Sequence, residues 1–172
     1  AEAGKMYLIP YDGRNPNEAT IAVTRRAHAI NLRGQPLEHV VLGGLVMRYF
    51  HDPGENWQQR AMIAITNGTH RDITFRNCQL YHNHHSANCE IDGEGIVFES
   101  NHIFHNESGN AIAVGRGKDI KFLRNHIHHN VGDGLWLGTG DKDDFYTVRD
   151  VEVRGNRLHH HESRKTHSDN LQ

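Results

Sequence analysis

Asn101-His102-Ile103-Phe104-His105-Asn106 and Asn125-His126-Ile127-His128-His129-Asn130 are one phrase written twice, 24 residues apart. Each copy follows an Ile-x-Phe pair, Ile96 and Phe98 before the first and Ile120 and Phe122 before the second. Together they define a template with members at i, i+2, i+5 and i+7. Ile73, Phe75, Cys78 and Leu80 fit it one step earlier, Val151, Val153, Asn156 and Leu158 one step later, and Val40, Leu42, Leu45 and Met47 more faintly at the start. Successive copies begin 33, 23, 24 and 31 residues apart, so the base period is about 23–24 residues with two longer intervals. The surplus falls in polar stretches, Asp52-Pro53-Gly54-Glu55-Asn56-Trp57 and Asp141-Lys142-Asp143-Asp144-Phe145, whose composition suits surface loops.

An apolar pair at i, i+2 has the alternation of a short strand with one buried face, and the step from i+2 to i+5 is too tight for a helix. Each copy therefore reads strand, corner, strand. A third strand follows in every period: Ile63-Ala64-Ile65, Asn88-Cys89-Glu90-Ile91, Ala111-Ile112-Ala113-Val114, Gly134-Leu135-Trp136-Leu137, and the start of another at Asn170-Leu171-Gln172. Three short strands cannot bury a core alone. Stacked at ~4.8 Å per lap, they bury a continuous apolar column. The expected fold is all-β, a right-handed parallel β-helix with three short strands per turn, occupying residues 37–172 behind lead-in strands or a cap at 1–36. Because solenoids need caps and Gln172 falls inside a strand, the chain is expected to be part of a longer protein.

On these phrases, and on the Gly-Asn-Ala-Ile and Gly-Asp-Gly-Leu that follow them, residues 37–172 resemble the right-handed parallel β-helix superfamily typified by pectate lyases. Lys5-Met6-Tyr7-Leu8-Ile9-Pro10-Tyr11-Asp12-Gly13 looks like the lead-in strand of its bacterial members. The resemblance implies a carbohydrate-active protein that is secreted, periplasmic or on the cell surface, although the superfamily also houses tailspikes and adhesins. It carries over no catalytic residue. The paired-aspartate and Gly-His-Gly motifs of polygalacturonases, the Asp-Pro-His of alginate epimerases and the calcium-binding aspartates of pectate lyases have no counterpart here, so no cofactor is assigned, calcium included.

Composition narrows the partners. A chain of 172 residues supports one domain. With 19 Lys and Arg against 21 Asp and Glu there is no basic excess to hold a nucleic-acid backbone. Hydrophobic residues are 36%, mean hydropathy is −0.72, and no uncharged apolar run approaches the roughly 18 residues of a membrane span. Two cysteines do not make a disulfide framework, so Cys78 and Cys89 are expected as buried free thiols. Sixteen histidines would carry the formal charge from −2 to +14 if all were protonated.

Residues sharing a template slot form ladders. Asn101, Asn125 and Asn156, with Cys78 in the same slot, suit a corner whose stacked amides bond along the column. His82, His105, His129 and His160 form a second column, which as an evenly spaced ladder does not converge on a metal, so no metal site is assigned. The outward rows after the corner (Gln79 and Tyr81, His102 and Phe104, His126 and His128, Arg157 and His159) offer rings and imidazoles for a sugar groove, against which stands the preferred expectation of a solvated face with ordinary cross-strand pairs. The third-strand sheet is the better candidate. Its outward row should be Ala64, Glu90, Ala113, Trp136 and Gln172, a floor of small residues beside one carboxylate and one large aromatic. Loops should bring His84, His85, Asp133, His167 and Asp169 to its entrance, with Asp92, Glu94, Arg116 and Lys118 at its exit. The expected catalytic residues are Glu90, Asp133, His167 and Asp169, and the expected substrate-binding residues are Trp136, Arg116, Lys118, Gln172, His84 and His85, acting on a polysaccharide, acidic sugars included. A glycoside hydrolase needs two carboxylates at ~5 Å or ~6.5–9.5 Å; a lyase needs a base and a cation. The competing expectation is a non-catalytic surface, adhesive or fibre protein.

Overall fold

Short strands separated by left-handed corners build the molecule. In this computed structural model, which describes residues 15, 28–51, 61–138, 147–162 and 169–171, every lap contributes one strand to each of three parallel sheets. The first lap holds β1 (Ile30–Asn31), β2 (Leu37–Gly43) and β3 (Val46–Arg48); the second β4 (Ala61–Ile65), β5 (His70–Arg76) and β6 (Gln79–Tyr81). The third holds β7 (His84–Ile91), the pair β8 (Gly93–Glu94) and β9 (Val97–Glu99), and β10 (His102–Phe104). The fourth holds β11 (Ser108–Val114), β12 (Gly117–Leu123) and β13 (His126–His128), and the fifth β14 (Leu135–Leu137), β15 (Val148–Arg154) and β16 (Arg157–His159). Sheet A is β1-β4-β7-β11-β14, sheet B contains β2, β5, β8, β9, β12 and β15, and sheet C is β3-β6-β10-β13-β16. No α-helix occurs among the described residues. This is the three-sheet parallel β-helix that the repeat predicts.

The core is the predicted file of side chains. Phe75, Phe98 and Phe122 are in register and stack with ring centroids 5.1 and 5.4 Å apart, all buried. Ile63, Cys89, Ile112 and Leu135 form the matching file of sheet A, and Leu80, Ile103 and Ile127 that of sheet C. Val153 pairs with Phe122 as the repeat requires but is 43% exposed, because no described lap covers it.

Most corners flanking sheet C place a non-glycine residue in the left-handed region. Asn77, Ser100 and Arg124 do so between sheets B and C, and His82, His105, His129 and His160 between C and A, with φ of 50–55° throughout. Histidine tolerates this region better than most residues. That accounts for the column of histidines as a backbone device.

Behind each corner runs an amide ladder. Asn101, Asn125 and Asn156 bond one to the next, each Oδ1 accepting both the backbone N–H and the Nδ2–H of the residue one lap below. Cys78 fills the predicted slot, its N–H donating to Asn101 Oδ1 at 3.0 Å. A second ladder, Asn83-Asn106-Asn130, follows the same rule at the C–A corner and is fully buried. Both cysteines are buried and free.

One local expectation needs correction. His84 and His85 do not sit in a loop at the mouth of sheet A, because β7 begins at His84 and pairs there with Ser108 of β11. Strand pairing along the stack satisfies the backbone N–H and C=O groups that a loop would leave open.

Candidate functional site

Sheet A presents the outward row that strand alternation dictates: Asn31, Ala64, Glu90, Ala113 and Trp136 are direct neighbours in register. The expected floor of small residues is there but covered. Ala61, Ala64, Ala87 and Ala113 form a buried apolar cluster against which Trp136 packs. The side chain that rises from this floor is Glu90. It is paired with Arg33, Nη2 to Oε2 at 3.6 Å, while Arg33 is itself only 19% exposed in its side chain. Burial pushes the Glu90 carboxyl above the ordinary carboxylate range, and the favourable charge of Arg33 does not cancel that.

Asp92 lies two residues beyond Glu90, just past the end of β7. Its Oδ1 accepts the Arg116 backbone N–H at 3.0 Å and its Oδ2 the Arg116 guanidinium at 3.3 Å. Glu94 faces Lys118 at 4.0 Å. These groups line an open depression of about 660 Å³ at the corner between sheets A and B, together with Asn67 toward one end of the stack and Thr147 and Arg149 toward the other. Charge alternates down the adjoining row of sheet B, through Glu38, Arg71, Glu94 and Lys118, until Arg149 sets a second cation beside Lys118.

The other expected residues fall as follows. Asp133 is buried and caps a corner, its Oδ1 accepting the Asp169 backbone N–H at 3.0 Å, as Asn110 Oδ1 accepts that of Asp133 one lap earlier. Asp169 is exposed. His84 leans on His51 with ring centroids 4.7 Å apart. His167 and Gln172 lie outside the described residues. The structure thus brings Glu90, Trp136, Arg116 and Lys118 to one face and its corner, and draws Asp133 into a backbone-capping ladder. It adds Arg33 to that face and finds Asp92 at its exit corner, as expected. Arg33 belongs to no repeat, so only its three-dimensional placement reveals it.

Sheet C differs from sheet A in every respect that matters for ligands. Tyr81, Phe104, His128 and His159 stack in one column at 4.9, 5.5 and 5.1 Å, so their ring faces meet each other and their edges face outward. A sugar finds no open aromatic face in that column. Beside it, His102 and His126 stack at 4.9 Å, and the two columns join through short imidazole contacts. His102 Nε2 lies 2.8 Å from His128 Nε2, and His126 Nε2 lies 2.9 Å from His159 Nε2. Burial first and neighbouring imidazoles second hold His102, His126 and His128 below the ordinary histidine range, His128 down to about 4. The corner column His82, His105, His129, His160 stacks along the solenoid as the repeat predicts, at 6.0, 5.1 and 5.0 Å.

A family model described as a right handed beta helix region matches residues 50–169, more than half of the chain. No curated protein and no solved structure matches it.

Proposed function

Because the chain belongs to the right-handed β-helix family, whose fold is compatible with carbohydrate-active and with adhesive proteins, we propose that it hydrolyses a polysaccharide laid across the outward face of sheet A, outside the cytoplasm. The observation that carries this reading is the Glu90 carboxyl: central in the sheet, half-buried, raised by that burial, and flanked by Asp92, Arg33 and Trp136. A carboxyl that burial makes hold its proton more tightly is shifted in the direction that protonation of a glycosidic oxygen requires. Asp92 follows two residues later, near enough for its charge to act on the Glu90 carboxyl. An inverting enzyme keeps room for a water between such an acid and base.

In this scheme Glu90 donates its proton to the departing oxygen. Asp92, fixed by the Arg116 amide and guanidinium and keeping a lone pair on each oxygen, takes a proton from the attacking water. Trp136 supplies apolar surface for a sugar ring, and Lys118 and Arg149 favour acidic sugars at the corner depression. Incubation with a panel of acidic and neutral polysaccharides tests it. New reducing ends without unsaturated, ultraviolet-absorbing products are expected, with an inverted product anomer, and Glu90→Gln should lower kcat by on the order of 10²–10⁴. Unsaturated products would mean a lyase instead. Absence of any product points to the adhesive reading, which the capping role of Asp133 and the pairing of Glu94 with Lys118 support.

A further inference from the structure

On a parallel stack, residues i and i+2 of each strand point the same way and recur on the strand beside it. In sheet C this rule puts four imidazoles from three strands into one patch: His102 from β10, His126 and His128 from β13, and His159 from β16. The nearest ring nitrogens of His102, His126 and His128 all lie within 4.8 Å of one another. We infer that this patch is a binding site for a divalent transition metal, with His102, His126 and His128 as ligands through their imidazole nitrogens, the fourth position left to solvent, and zinc as the ion it fits.

Three features of the patch favour a cation over a plain stack of rings. First, the inward nitrogens are oriented by outer partners. His128 Nδ1 lies 2.7 Å from His129 Nδ1, and His159 Nδ1 lies 2.6 Å from His160 Nδ1. With the proton on Nδ1 of His128 and His159, their Nε2 lone pairs point at His102 and His126, the arrangement in which a second hydrogen bond sets the tautomer of a ligating histidine. Second, the distances need little adjustment. Tetrahedral zinc at ~2.0–2.1 Å from each nitrogen separates its ligand atoms by about 3.4 Å, and the three nitrogens now lie from 2.8 Å (His102 to His128) to at most 4.8 Å apart, a range that brackets it. Third, the donor set is all imidazole. No described carboxylate is among the groups that meet within this distance, which disfavours calcium and magnesium and suits zinc, copper or nickel. The fixed charge beside the patch is Arg157, in register with His126, so the site tolerates one neighbouring cation and depends on neutral ligands.

This site is on sheet C and the proposed hydrolytic face is on sheet A, so either can fail without the other. The test is zinc titration of the full chain by calorimetry, with metal content measured after gel filtration. One equivalent of zinc is expected to remain bound. His126→Ala and His128→Ala should weaken it at least tenfold, while His39→Ala and His51→Ala, exposed histidines elsewhere, should leave it unchanged. Cobalt in place of zinc should give the intense visible bands of tetrahedral coordination. If an alanine variant does not fold by circular dichroism, His128→Gln, which keeps a hydrogen-bonding side chain, takes its place. Zinc lost on gel filtration, weakened equally by His39→Ala, or a pale octahedral cobalt spectrum would each overturn the inference and leave surface histidines binding metal adventitiously.

Discussion

Asn106 shows how much one side chain carries in this fold. Its Oδ1 accepts the N–H and the Nδ2–H of Asn83, and its own Nδ2 donates to Leu80 O and to Asn130 Oδ1. All of these groups lie in the buried ladder. Asn106→Ala strands the Asn83 amide and the Leu80 carbonyl where water does not reach, and each stranded group costs about 1–3 kcal/mol. The urea midpoint should fall accordingly, with the slope unchanged. The first ladder was legible because Asn101, Asn125 and Asn156 share a template slot. The second was equally periodic, since Asn83, Asn106 and Asn130 follow their Ile-x-Phe pairs at a fixed distance, but its polar neighbours resemble a loop when read without the strand that begins beyond them. Hydrogen bonding one lap away, invisible in linear order, is what separates a ladder residue from a loop residue.

At the scale of the element, sheet C illustrates what alternation does and does not reveal. Which residues face outward followed from period two, and the register confirmed each row. That neighbouring columns lean together and bring four imidazoles into contact did not follow, because rotamers are absent from a pattern. This face also makes stability depend on pH. Burial, then like charge from facing groups, lowers His102, His105, His126, His128 and His159; around His128 these are His126, His102, His129 and His159, with Arg157 acting on His126 and His159. Below the ordinary histidine value of about 6.5 the unfolded chain therefore binds more protons than the folded one, so stability is complete above that pH and lost as pH falls beneath it. Glu90, whose carboxyl is raised, works in the opposite direction as one group against several. Melting of metal-free protein should thus occur at lower temperature at pH 5 than at pH 7.5, and His128→Asn should flatten the difference.

For the molecule as a whole, stability is shared between neighbouring laps and not pooled in one centre. Phe98 is covered by Phe75 on one side and Phe122 on the other, whereas Val151 and Val153 are 37% and 43% exposed. Native-state hydrogen exchange should therefore be slowest in β7, β11 and β12 and fastest in β15. Phe98→Ala, expected to cost about 3–5 kcal/mol, should accelerate exchange in the laps on both sides; an effect confined to its own strand would contradict nearest-neighbour coupling. The architecture was legible from one recurring template, since stacking identical laps is the only way such short strands bury their apolar faces. The chemistry was less legible: Glu90 and Trp136 came from strand alternation, while Arg33 reached the same face from outside any repeat. Asn125 and Asn156 are 31 residues apart, yet their amides meet at 2.9 Å, much as those of Asn101 and Asn125 meet at 3.0 Å across 24. Spacing along the axis is thus indifferent to how much chain is spooled out between rungs, which makes such a bypass a natural port for grafting a foreign peptide and displaying it at a fixed height on a rigid rod.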